Sequence, residues 1–104
     1  MSVEVRLLPN ARRDRDSTLR WLEEQDHLAD IQSYLDDFYA TLRFIAANHL
    51  LRREVEPGVR HESLTTYKYH VWFRTYEAAD FVDVFAVFHH SVDPAVLARR
   101  IAHS

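Results

Sequence analysis

Two adjacent histidines, His89 and His90, close the hydrophobic run FVDVFAVF. Imidazole titrates near neutrality, so either ring could serve general acid–base catalysis. Both could instead mark the point where a buried strand meets water. Neighbouring side chains in a strand point to opposite faces, so the two rings cannot easily share one metal ion. Further ligands would have to come from elsewhere, such as His70 or Asp93. No metal-ligand motif is present, and neither metal nor cofactor is expected. The bland assignment is one histidine hydrogen-bonded at the strand end and the other in solvent.

Other chemistries are thinly supplied. The chain has no cysteine, which removes disulfides, thiolate metal sites and thiol nucleophiles. It has one glycine, too few for a phosphate-cradling loop or a nucleophile elbow. Acidic residues outnumber basic ones by 16 to 13, giving a net charge of −3 without a basic stripe. That balance argues against binding nucleic acid mainly through its phosphates. The run ARRDRD, residues 11–16, mixes both signs and reads as a self-paired, solvated helix face. Tyr67, Tyr69, Trp72 and Phe73 could stack bases, but aromatics on a strand opposite a helix are expected to form core.

The elements that must hold these residues follow from periodicity. VEVRL, residues 3–7, alternates as a short strand. Leu8-Pro9-Asn10 ends it, with Asn10 the expected N-cap of a helix over residues 11–25. Leu28, Ile31, Leu35, Phe38, Leu42 and Ile45 then lie on one face of a second helix, with Asp36 and Asp37 opposite. The short joint at residues 24–27 predicts a helical hairpin. EVEPG, residues 54–58, is the strongest break. Three strands are expected after it: a weak one over 60–65, then 67–75 and 81–89. The last is apolar on both faces apart from Asp83 and suits a central position. Asp93 and Pro94 open a closing helix, with Arg99 and Arg100 in its last turn.

The expected fold is α+β, in the order β-α-α-β-β-β-α. An antiparallel sheet of three or four strands packs against the N-terminal helical hairpin, within a single domain over residues 1–104. No apolar run reaches membrane-spanning length, and the N-terminus lacks the hydrophobic stretch of a signal peptide. A cytoplasmic protein with no membrane partner is expected.

The order and spacing of several pieces resemble the RelE/ParE toxin superfamily, and more closely its ParE, plasmid-stabilisation branch. Leu8-Pro9-Asn10-Ala11 with Asp14 is similar to that family's strand-to-helix opening. Tyr69-His70-Val71-Trp72-Phe73-Arg74 is similar to its Tyr-x-Ile-x-Tyr-Arg strand. Val84 to His89, followed by Asp93-Pro94, resembles its closing strand. Val92 stands where relatives often keep an arginine before that aspartate.

The resemblance implies a toxin of a type II toxin–antitoxin module. Its partners would be a cognate antitoxin from the same operon and DNA gyrase, inhibited by protein contact, with oligomers formed alone or with the antitoxin. Leu97, Arg99, Arg100 and Ile101 on the last helix, with the exposed sheet edge, are the expected contact surfaces. The alternative implied is a RelE-like endoribonuclease that cuts mRNA on the ribosome, for which Arg60, Arg74 and His89 could form a minimal site. A non-toxic relative kept for binding or regulation is the third.

Overall fold

The computed structural model describes residues 2–104. Its elements are β1 (Glu4–Leu7), α1 (Pro9–Glu24), α2 (Leu28–Asn48), β2 (Val59–Ser63), β3 (Tyr69–Thr75), β4 (Phe81–His89) and α3 (Pro94–Ala102). The element order is the expected one. The sheet order is β1-β4-β3-β2, which puts the apolar β4 inside the sheet.

The expectation of a purely antiparallel sheet is corrected, because β1 pairs with β4 in parallel while β2–β3 and β3–β4 are antiparallel. The reason is parity. From the end of β1, α1 carries the chain onward beside β4, and α2 brings it back. The Val3 N–H donates to Ala46 O at 2.9 Å, so the end of α2 lies beside the start of β1. β2 therefore starts from the same side as β1, and two antiparallel reversals leave β4 running with both.

Pro9 decides where β1 stops. The Leu8 N–H makes one last bond to Val84 O at 2.9 Å. Pro9 then has no N–H to continue the ladder, while its fixed φ suits the first position of a helix. Leu8 thus takes the N-cap position without a side-chain cap. Asn10, expected there, lies inside the helix and accepts a hydrogen bond from Arg13.

α2 presents the expected stripe to the core but is turned slightly within it: Phe38 and Ile45 are buried and Ile31, Leu35 and Leu42 pack half-buried against them. Tyr34 and Thr41 are buried beside them, while Leu28 is 60% exposed. Thr41 enters the core because its hydroxyl donates to Asp37 O at 2.8 Å, which satisfies the polar group locally. Asp37 does not simply face water. Its carboxylate accepts from the backbone N–H groups of Thr65, Thr66 and Tyr67 at 2.9, 2.8 and 3.2 Å, pinning the β2–β3 loop to the helix.

Both sheet faces are covered. Val71, Phe73, Val82, Val84 and Val87 pack beneath the hairpin with Tyr34, Phe38 and Ile45. Val59, Trp72, Phe85 and Ala86 form a smaller cluster beneath Leu97 and Ile101 of α3. A bulge makes the second cluster possible. The β3–β4 register passes from Trp72↔Ala86 to Phe73↔Val84, leaving Phe85 as an extra residue. Phe85 and Ala86 consequently both contribute to the α3 side. Asp83, buried in β4, is compensated by Arg6 Nε and Nη2 at 2.7 and 3.1 Å and by the Tyr76 hydroxyl at 2.8 Å. The Arg6 hydrogen bonds hold its carboxyl below the usual range.

β1 covers β4 only as far as Val84. Beyond it, two side chains replace the missing strand. Asp14 of α1 accepts the Val87 N–H at 2.9 Å, and Arg100 of α3 donates to Phe85 O at 3.1 Å. The same two residues pair bidentately, at 2.8 and 3.2 Å. Asp14→Ala removes both of its interactions and leaves Arg100 half-buried and unpaired. It should lower unfolding free energy by about 2–4 kcal/mol in urea titrations at neutral pH. Asp14→Asn, which can still accept from Val87, should cost less; equal losses would deny the backbone bond its role.

Candidate functional site

The strand registers determine which candidate residues can meet. Arg60 lies opposite Phe73 and Arg74 lies opposite Val59. Directly paired side chains share a face, so Arg60 belongs to the hairpin side and Arg74 to the α3 side. His89 lies opposite Tyr69, on the hairpin side but four residues along β3 from Phe73. That is a separation of about 13 Å along the strand. The structure does not bring Arg60, Arg74 and His89 together.

Each of the three is also engaged. Arg60 donates to Arg52 O at 2.8 Å, hydrogen-bonds Thr75 and lies 3.3 Å from the Glu54 carboxylate. Arg74 donates to Ile101 O at 2.9 Å and to the Ser104 hydroxyl at 3.0 Å, closing the C-terminal end of α3. His89 Nδ1 accepts the Ser91 N–H at 3.1 Å and lies 2.7 Å from the Ser91 hydroxyl. With Nδ1 an acceptor, the neutral ring carries its proton on Nε2.

α3 starts as its residues dictate. The Asp93 carboxylate accepts the Ala95 N–H at 2.8 Å, and Pro94 takes the first helical position. Of the four residues expected to meet a partner, Leu97 and Ile101 pack inward on the Val59–Trp72–Phe85–Ala86 cluster. Arg100 is held by Asp14. Arg99 alone is exposed, alongside Ala95, Ala98 and Ala102. The helix has no fully buried residue, so its attachment depends on half-buried contacts and the two arginine links.

A cleft of about 560 Å³ opens between the hairpin turn, the start of β3 and the end of β4. Trp21, Tyr34, Tyr67 and Tyr69 wall it, with Lys68 and His89 also lining it. Trp21 is 54% exposed and stacks loosely on His27 at 6.3 Å. Such a concave, mostly aromatic surface with a few polar groups suits the side chains of a partner. Of these aromatics the sequence assigns Tyr67 and Tyr69 to core, and both do pack against it; the cavity beside them arises from the hairpin turn, which periodicity does not describe. Among the described residues no cluster of three or more His, Asp or Glu is placed to hold a metal ion.

No protein-family model matches the chain, and no curated protein matches it. A solved structure does: a chain of the chromosomal ParDE toxin–antitoxin system from P. aeruginosa superposes with a TM-score of 0.71. The match covers 85% of this chain and 96% of that one, at 13% identity. The two chains share a fold, as the resemblance in strand order implied.

Tyr34 lines the cleft and is fully buried; Thr18 lies near its hydroxyl, but among the described residues none makes a hydrogen bond of ordinary geometry with it. Burial pushes its ionisation upward. An unsatisfied buried hydroxyl is a cost, so Tyr34→Phe should be neutral or raise stability by up to about 2 kcal/mol. A loss larger than about 1 kcal/mol in urea titrations would mean that the hydroxyl is satisfied in solution.

Proposed function

We propose that this chain is the toxin of a ParE-type toxin–antitoxin module, which inhibits DNA gyrase by protein–protein contact and is neutralised by a cognate antitoxin. The observation that carries the reading is the shared fold with a chain of a ParDE system over most of both lengths. Two features of this molecule support contact over catalysis. The arginines and histidine that could form a nuclease site lie on two faces of the sheet and at two ends of it. The net charge of −3 also runs against engagement of ribosomal RNA, because phosphoryl transfer needs cationic groups gathered at the reacting phosphate.

The contact surfaces in this reading are the outer face of α3, with Arg99, and the aromatic cleft at the hairpin turn. Residues that reach from α3 into the fold, Leu97, Arg100 and Ile101, act by holding that surface in place. The antitoxin is the partner for one or both surfaces.

Induction without the neighbouring gene is the test. Growth arrest with gyrase-dependent DNA damage and intact mRNA is expected, and Arg60→Ala and His89→Ala should remain toxic. Prompt ribosome-dependent mRNA cleavage that either variant abolishes would replace this reading with the endoribonuclease. No growth effect, with binding to the neighbour's product retained, would identify a non-toxic relative.

A further inference from the structure

Three imidazoles from separate positions in the chain meet at one corner of the sheet. His70 of β3 lies between His61 of β2, at a ring-centroid distance of 4.4 Å, and His90, at 4.0 Å. The His70 and His90 rings are nearly parallel, at 21°. His61 also leans on Trp72, at 4.5 Å. His90 belongs to the turn that leaves β4, three residues before the N-cap Asp93 of α3. Its N–H donates to Lys68 O at 2.9 Å, so ring and backbone both hold this turn to β3.

We propose that the His61–His70–His90 column is an acid-responsive latch, which holds the β4–α3 turn while His61 and His70 are neutral and releases it when they are protonated. The surroundings favour neutral rings. The polar contact made by His70 is with the Ser63 hydroxyl, at 2.9 Å from Nδ1. His61 Nδ1 is buried without a partner among the described residues. Glu62 is adjacent on β2, but its carboxylate is taken by Arg52 at 2.9 and 3.0 Å. Asp93 is engaged by the Ala95 N–H, and Lys68, Arg52 and the neighbouring His89 add no negative charge. A second proton in the column therefore places like charges about 4 Å apart with no counter-ion between them.

Burial, and then the other two imidazoles, lower the pKa of His70 from 6.5 to about 4; burial also lowers that of His61. The sign follows from linkage. Rings whose folded pKa is depressed hold the turn fully above pH 6.5 and lose that hold as pH falls toward about 4. α3 is susceptible because it has no fully buried residue, whereas the centre of β4 is fully buried. Acid should thus loosen the turn and the first part of α3 before the sheet opens. Arg100 and Arg74 would still tether the helix's far end.

Hydrogen exchange on the full chain, corrected for the pH dependence of intrinsic exchange, tests the latch. Between about pH 7 and about pH 4.5, protection over residues 90–98 should fall about ten-fold, while residues 82–87 change little. His90→Gln, at an exposed position, should remove this pH response, and His27→Gln, outside the column, should keep it. The proposal fails if residues 90–98 stay equally protected across the range. It fails too if protection is lost uniformly through the chain, or if His90→Gln follows the unaltered protein.

Discussion

The ion pair between Asp14 and Arg100 completes a sheet that its own strands leave unfinished. β4 has nine residues and β1 has four, so half of one edge of the central strand has no neighbouring backbone. Buried N–H and C=O groups need partners, and an open edge also invites pairing with other chains. Here a carboxylate takes the Val87 N–H and a guanidinium takes the Phe85 carbonyl, while each neutralises the other. The two side chains come from α1 and α3, so the repair also joins the helices that cover opposite faces of the sheet. The bulge at Phe85 belongs to the same arrangement, since it aims an aromatic side chain under α3 close to where Arg100 arrives.

That arrangement constrains what the rest of the surface can do. A sheet buried on both faces divides its outward-reaching groups into two sets that cannot meet. Arg74 works on the α3 side, where it closes the helix end, and Arg60 works on the hairpin side, where it ties the β2 approach to Arg52 and Glu54. Cationic groups used in this way stabilise loops and helix termini rather than a reacting phosphate. Under the proposed function, the surfaces left for recognition lie at the periphery: the outer face of α3 and the aromatic cleft under the hairpin turn. Binding through such surfaces needs shape and apolar area more than a gathered set of charges.

Most of the fold was legible because it is written in periodicity and punctuation. Alternation marked β1 and β3, the run apolar on both faces apart from Asp83 marked β4 as central, and Asp93-Pro94 marked the start of α3. Three things were not legible, each for a physical reason. The direction of β1 depends on how the hairpin returns the chain, which no local pattern encodes. The rotation of α2 depends on Thr41 satisfying its hydroxyl within the helix, so that a polar residue occupies a core position. The role of Asp14 was hidden because ARRDRD offers local partners of both signs. Arg15 and Asp16 do pair as that pattern suggests, at 3.1 Å, whereas Asp14 reaches across 86 residues. Long-range partners of this kind leave no signature in a single sequence. The candidate site was less legible than the fold for the same reason: Arg60, Arg74 and His89 look alike on paper until the register places them.

A fold shared at 13% identity implies that its requirements are patterns rather than particular residues. Alternating apolar positions, a proline where β1 becomes α1 and a capped final helix can be met by many sequences. Pairs distant in sequence such as Asp14–Arg100 and Arg6–Asp83 are more demanding, because neither partner can change alone without leaving a charge stranded. Under the proposed function, specificity for a partner would come from positions free of both demands. In this chain those include Arg99 and the exposed alanines of α3, Trp21 at the edge of the cleft, and Leu28, which the rotation of α2 leaves in solvent. These residues neither pack the core nor finish a backbone ladder. They can therefore change with the partner while the sheet and its two covering layers stay as they are.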